Sequence, residues 1–236
     1  MPWEYDQYIA HHGIKGQKWG VRRYQNADSS LTAEGKARYA KACGDLAEKI
    51  YKKASAREPK ITRDVVSAVT QSGSRMYGLE HRLKTKESLA RKIDADSKEK
   101  NISPEEAARS IKDAIRYTSL CNDDLFTDSY HAVRSNLENQ GYSEIRCRNY
   151  FELYRQGKAK HKQITSVYAD KKGNQFELQF QTPSSLEAKN RKTPLYEAAR
   201  TVGIGEKRKA ELTKEMDALA KRVKTPKGVY RIKSHG

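Results

Sequence analysis

The chain has 236 residues, enough for one core of ~100–150 residues with appended segments. Lys and Arg (47) outnumber Asp and Glu (30), giving a formal net charge of +17. That balance points to a polyanionic partner: nucleic acid, nucleotide or an acidic protein surface; it also fits a basic surface that is simply solvated. No segment approaches the ~20 apolar residues of a membrane span. The start, MPWEYDQYIAHHG, lacks the basic and apolar regions of a secretory signal. Cys43, Cys121 and Cys147 are an odd, widely spaced set without CxxC, which argues against a disulfide framework or a zinc site and for a reducing cytoplasm.

Along the chain, residues 1–30 show no sustained periodicity and read as a basic arm. From Leu31 to about Ala56 a helical pattern begins, with Thr32 as cap and Tyr39, Leu46 and Ile50 at helical spacing. A second helix is expected over Thr62–Gln71, ended by Gly73. Ser74–Arg82 reads as a strand and Lys86–Ala95 as a helix with Leu89 and Ile93 on one face. Ser103-Pro-Glu-Glu106 is a capping box with proline at the first helical position, so a short helix runs to about Ser110.

Further on, Ala114–Leu120 is a strand candidate, and Asp128–Asn139 an amphipathic helix closed by Gly141. Three more strands follow, Ser143–Arg148, Ile164–Ala169 and Gln175–Phe180, the last two joined as a hairpin through Asp170-Lys-Lys-Gly173. Helices are expected over Pro194–Val202 and Glu206–Val223, separated by Gly203 and Gly205. Leu212, Met216 and Leu219 on the second suit packing on the core. The pattern predicts an α+β fold with a central mixed sheet of about five strands between N- and C-terminal helices. Its segments are 1–30 (arm), 31–73 (N-terminal helices), 74–203 (the sheet domain) and 204–236 (C-terminal helix and tail).

Two stretches carry candidate chemistry. In Arg82–Ile93, RLKTKESLARKI, Arg82 and Lys84 lie two apart on the expected strand and share a face. Ser88 and Lys92 lie four apart on the following helix and share another. A tight strand–helix turn would bring all four to the helix N-terminus, which itself favours an anion. The same residues also read as an ordinary solvated basic helix. In Phe176–Thr182, FELQFQT, alternation places Phe176, Leu178 and Phe180 on one face and Glu177 and Gln179 on the other. Asp113, at the entrance to an earlier strand, and Glu177 could together bind Mg²⁺ through oxygen ligands. Glu177 could also accept a proton from an attacking hydroxyl. Two strand-edge carboxylates paired with nearby lysines are the simpler reading of the same residues.

The spacing R-x-K-x-x-x-S-x-x-x-K, then a strand-entry Asp, then E-x-Q-x-x-T, resembles the RelA/SpoT-type (p)ppGpp synthetases, a nucleotidyltransferase-like fold, over about Gly78–Arg200. The resemblance implies an ATP-binding role for Arg82, Lys84, Ser88 and Lys92 and an Mg²⁺ role for Asp113. It assigns Glu177 to the metal and to activation of the acceptor's 3′-hydroxyl. ATP would be the donor, and pyrophosphate would pass to a ribose 3′-OH. The chain departs from the family pattern at three places. Asp113-Ala-Ile-Arg116 lacks the usual glycine, Lys160-His161-Lys162 stands where an acceptor-stacking Gly-Tyr is usual, and Gln181 replaces an Arg. His161 and Gln179 are then the acceptor-binding candidates. The charge of the chain suits tRNA, the acceptor of small toxin members of the family, as well as a free nucleotide.

At the N-terminus, HHGIKGQKWGVRRY (His11–Tyr24) resembles a tag of phage and prophage minor structural proteins. It implies association with a phage particle and a location on the virion; an antitoxin is the other partner considered, and the host cytoplasm the other location. Physically, Trp19 among Lys15, Lys18, Arg22 and Arg23 could dock on a protein or stack on nucleic acid. His81, His131 and His235 have no metal-ligand spacing and receive no role. The alternative to an enzyme is a phage structural or accessory protein that keeps the fold as a binding module; a plain basic RNA-binding protein is a third reading.

Overall fold

The computed structural model describes residues 24–26, 30–199 and 204–236. The N-terminal tag therefore lies almost wholly outside the described residues, as do Val202 and Gly203. Five strands form one mixed sheet: β1 (Arg75–Tyr77), β2 (Arg116–Leu120), β3 (Tyr142–Asn149), β4 (Ile164–Asp170) and β5 (Gln175–Gln181), in the order β1-β2-β5-β4-β3. Only β2 and β5 run parallel; the other neighbours are antiparallel. With seven α-helices described around it, the α+β expectation and the five-stranded mixed sheet are borne out. The helices are α1 (Ala33–Gln71), α2 (Lys86–Lys100), α3 (Pro104–Ser110), α4 (Phe126–Asn139), α5 (Tyr150–Arg155), α6 (Pro183–Ala199) and α7 (Glu206–Arg222).

The β4–β5 hairpin forms at the predicted turn. Asp170 Oδ1 accepts from the backbone N–H groups of Lys172 (2.8 Å) and Asn174 (2.9 Å), and Gly173 supplies the positive φ of 76°. The capping box at α3 is also as expected, with Ser103 and Glu106 bonding each other's backbone N–H groups. Thr32 caps α1 by accepting from Gly35 N at 3.1 Å.

Four elements differ from expectation. The two N-terminal helices are one: α1 runs through Pro59, because Ala54, Glu58, Ile61, Val65, Ala68 and Val69 stay buried along a continuous stripe. Tertiary packing outweighs the proline's lost hydrogen bond there. Helix α2 continues past Ala95 to Lys100, where buried Ser97 donates to Ile102 O (2.6 Å) and Asn101 turns left-handed at φ 52°. Helix α6 starts at Pro183, not Pro194. Thr182 and Ser185 cap it reciprocally (Ser185 N to Thr182 Oγ1 3.2 Å, Thr182 N to Ser185 Oγ 2.9 Å), and Pro194 is carried inside. Helix α5 has no counterpart in the sequence reading. Buried Asn149 starts it, its Oδ1 accepting from Phe151 N and Glu152 N.

A further difference, at the first strand, decides the site. The expected strand Ser74–Arg82 is only Arg75–Tyr77; Gly78, at φ 63°, turns the chain into a 3₁₀ turn over Leu79–His81. Arg82 closes that turn with helical dihedrals (φ −66°, ψ −29°). The chain then touches the sheet again at a single bridge, Leu83 to Ile115.

One face of the sheet is an aromatic core. Phe176 contacts Tyr117 (5.9 Å, edge-on), Tyr142 (5.3 Å, edge-on) and Tyr168 (5.5 Å, stacked), while Phe180 meets Tyr130 at 5.0 Å. Helices α1 and α4 cover this face, tied to each other by Asn136 Nδ2 donating to Ala68 O (3.1 Å). Val223, Val229 and Ile232 join the same cluster from beyond α7. Among the described residues no helix is long and apolar enough to cross a membrane.

Candidate functional site

The opposite face of β5 carries Glu177, Gln179 and Gln181, all nearly buried. They form a polar ladder: Gln179 Nε2 donates to Glu177 Oε1 (2.7 Å), and Gln181 Nε2 donates to Gln179 Oε1 (3.4 Å) and Gln163 Oε1 (3.1 Å). The parallel register sets Arg116 of β2 opposite Glu177, hence on the same side. From α6, Lys189 reaches down to Gln179 Oε1 at 2.8 Å. From the segment before α2, Lys84 forms an ion pair with Asp113 at 3.2 Å; both side chains are more than four-fifths buried (18% and 17% exposed). The backbone holds this pair in place, since Lys84 N donates to Ala114 O (3.0 Å) and Arg116 N to Arg82 O (2.7 Å).

The electrostatics of the group are those of a charged cluster kept partly dry. Burial, reinforced by the nearby charge of Asp113, raises the Glu177 pKa above its ordinary value; the Gln179 hydrogen bond, Arg116 and Lys84 only partly offset this. Burial and the charge of Arg116 lower the Lys189 pKa to about 8, against a smaller opposing pull from Glu177. Asp113 Oδ1 is buried without a hydrogen-bond partner. An unpartnered buried carboxylate oxygen is costly, and beside a second carboxylate it is the oxygen-only donor set a hard divalent cation such as Mg²⁺ takes. Asp113 and Glu177 therefore fit such an ion.

Of the predicted site residues, Lys84, Asp113, Glu177 and Gln179 come together here. Arg82 does not. Its guanidinium bonds Glu58 of α1 and donates to Leu79 O (2.8 Å), and Glu58 is linked through Thr62 to Tyr117 Oη. Tyr117 alternates with Arg116, so this chain of contacts lies on the α1 side of the sheet, away from Glu177. The expectation that Arg82 and Lys84 share a face fails because Arg82 ends a 3₁₀ turn, where strand alternation does not hold. Burial opposes the charge on Glu58, yet hydrogen bonds from Arg82 and Thr62 outweigh it and keep its pKa below the usual value.

Ser88 and Lys92 keep their helical spacing on α2, but Ser88 Oγ accepts from Arg91 (3.3 Å) and Lys92 pairs with Asp96 (3.5 Å). Among the described contacts neither reaches the Asp113–Glu177 group. The α2 N-terminus, expected to attract an anion, already carries Glu87; bonding to its own backbone N–H, then to Thr85, lowers that carboxyl's pKa.

Beside Lys189 a cavity of about 590 Å³ opens between α6, α7 and the segment before β4. Ala188, Met216, Ala220 and Val223 give it an apolar floor, and Lys160, His161, Lys162 and Lys192 ring it. His161 lies 4.2 Å from the Tyr150 ring and tilted to it. Crowding by the cavity wall, then the charges of Lys192 and Lys189, lowers its pKa to about 4, although by surface area the residue is exposed. Two members of the group were not foreseen as site residues, Arg116 and Lys189. Arg116 could have been found by counting strand alternation from Glu177's partner strand; Lys189 has no sequence signal.

Residues 2–26 match a family described only as a family of unknown function, DUF7211. No curated protein matches the sequence. Among solved structures, the chain is similar to the Type VI effector Tas1 in complex with its immunity protein, at 18% identity over 73% of this chain and 93% of that one, with a TM-score of 0.46. It is also similar to small alarmone synthetase 1 from Bacillus subtilis bound to its product pppGpp, at 16% identity over 72% and 88% of the two chains, TM-score 0.48. A GTP pyrophosphokinase family protein from Streptococcus pneumoniae aligns over 81% of this chain and 90% of its own, at 16% identity and TM-score 0.42.

Proposed function

We propose that this chain is a RelA/SpoT-like pyrophosphokinase that transfers pyrophosphate from ATP to the ribose 3′-hydroxyl of a nucleotide or of tRNA. The observation that carries this reading is Asp113, with its buried, unpartnered Oδ1, beside a Glu177 of raised pKa and among Lys84, Arg116 and Lys189. Mg²⁺ held by Asp113 and Glu177 would supply charge neutralisation on the donor's phosphates. Lys84 and Lys189 bind and orient the polyphosphate, and their partial burial strengthens each contact relative to water. A raised Glu177 pKa makes it the better base. It takes the proton as the 3′-oxygen attacks the β-phosphorus, the bond from that phosphorus to the α,β-bridging oxygen breaks, and AMP leaves with the electron pair. The apolar floor and basic rim of the adjoining cavity suit a base and an anionic chain, so His161 and Gln179 face the acceptor in this reading.

The test is transfer of label from γ-labelled ATP to GDP, GTP, ADP or tRNA. Wild type should label one acceptor and release AMP, and Glu177→Gln should lower that rate ~10²–10⁴-fold, the usual share of a general base. Labelling of tRNA and not GDP selects the RNA acceptor. Absence of transfer to all four, with ATP still bound, selects the second reading, a nucleotide- or nucleic-acid-binding accessory module. The Arg82–Glu58 pair favours that reading, because it removes one of the four expected ATP-binding side chains from the site.

A further inference from the structure

On the aromatic side of the sheet, away from Glu177, three potential metal ligands converge. Strand β3 supplies Glu144 and Cys147, and the segment after the Val229–Arg231 turn supplies His235. An odd spacing of three should send Glu144 and Cys147 to opposite faces of a regular strand. A bulge between Glu144 and Arg146, where Glu144 pairs with Tyr168 and Arg146 with Val167, returns them to one face. Bulges re-aim side chains in this way and are common beside functional sites. His235 arrives by a two-way backbone bridge: Cys147 N donates to His235 O at 2.9 Å, and His235 N to Cys147 O at 3.0 Å. The next residue, Gly236, sits so close to the bulge that a Cβ would lie 2.3 Å from Ile145 O. Only glycine lets the backbone close there.

We propose that Glu144, Cys147 and His235 bind a borderline-soft divalent cation of the Zn²⁺ class, which clamps this segment onto β3. The ligand atoms all lie within 4.8 Å of one another, and His235 Nε2 is 3.1 Å from Glu144 Oε2. Ligand atoms on one tetrahedral Zn²⁺ lie roughly 3.3–3.8 Å apart, given bonds of about 2.0–2.3 Å. Small side-chain rotations reach that geometry. The Glu144 and Cys147 groups are fully buried while His235 is partly open, which leaves a fourth position for water on the His235 side.

A supporting layer is already built. Tyr130 Oη lies 2.9 Å from both Glu144 oxygens and 3.5 Å from Cys147 Sγ, and Tyr168 Oη donates to Oε1 at 3.4 Å, so the carboxylate and the thiol are held side by side by groups behind them. Arg134, 3.8 Å from Oε2, is held instead by Glu138 at 2.9 Å. In the metal-free protein burial keeps the Cys147 thiol pKa high. Metal binding must therefore release its proton and strengthen as pH rises. The sequence argued against a zinc site because the cysteines lack CxxC spacing; a mixed Cys/His/Glu set brought together by a bulge and a distant segment leaves no such spacing.

The test is a Co²⁺ titration of the full-length protein, purified without a histidine tag. Wild type should develop a thiolate-to-Co²⁺ charge-transfer band that saturates at one equivalent and is bleached by Zn²⁺. Cys147→Ser should abolish the band. His235→Ala, at a partly exposed position that leaves the core intact, should weaken Co²⁺ binding by at least ~10-fold. Zinc should also raise the melting temperature of wild type and not of His235→Ala. Absence of a band in folded wild type, or a band equally strong in His235→Ala, overturns the proposal.

Discussion

On one side of β5, Phe176, Leu178 and Phe180 pack with three tyrosines of the sheet and Tyr130 of α4; on the other, Glu177, Gln179 and Gln181 meet Lys189, Arg116 and Asp113. Both sides are buried, yet they solve burial differently. The aromatic side removes apolar area from water and needs few directed bonds. The polar side keeps ionisable groups at a cost in solvation, visible in the raised Glu177 and lowered Lys189 pKa values. Burial of that kind adds little stability, and groups held so are candidates for chemistry. Arg82 sharpens the contrast, because it belongs to the aromatic side as part of a structural pair.

The largest expected effect comes from Glu177→Gln, which should cost ~10²–10⁴-fold in transfer rate and nothing in stability. A carboxyl with a raised folded pKa binds its proton more tightly in the folded state. Its stabilising contribution is full below the unfolded pKa and is lost as pH rises through the folded one. The Gln variant escapes that loss, so its melting temperature should gain on wild type between acid and neutral pH. A lower melting temperature at neutral pH would break the comparison.

Phe176→Ala is the counterpart on the other side. It should cost about 3–5 kcal/mol in urea unfolding while the folded fraction keeps its specific activity. Next in size, Arg82→Ala should destabilise by about 1–3 kcal/mol, because it leaves the buried Glu58 carboxylate with only the Thr62 hydroxyl and no charged partner. Adding Glu58→Ala should recover part of that loss. If Arg82→Ala instead weakens ATP binding with stability unchanged, Arg82 acts at the site and the division between the faces is wrong. The smallest effect is a pH dependence. Lys189 is protonated below about 8 and neutral above, so ATP affinity should fall by roughly tenfold between about pH 7 and pH 10, the value of one charged hydrogen bond. Lys189→Met should bind more weakly and flatten that profile.

Local rules were readable in the sequence where one segment carried the whole signal. The β4–β5 turn, the α3 capping box, the Gly141 stop and the alternation of FELQFQT are of that kind. Features set by contact between distant segments were not readable. Pro59 predicts a break that the buried stripe of α1 overrides. Gly78 and the 3₁₀ turn behind it cancel the alternation that should have joined Arg82 to Lys84. The Glu144–Cys147 bulge and the approach of Lys189 to Gln179 depend on strand register and helix placement. At the site, the acidic pair and Lys84 were thus legible, while the rest of the cationic wall was not.

The division between faces is tested most directly by ATP binding at equilibrium with and without Mg²⁺, measured on wild type and Asp113→Asn. If the unpartnered Asp113 oxygen receives a cation shared with the nucleotide, Mg²⁺ should strengthen ATP binding by at least about tenfold in wild type and leave Asp113→Asn nearly unchanged, as loss of a metal-orienting group does elsewhere. Equal Mg²⁺ dependence in the two proteins would contradict the account.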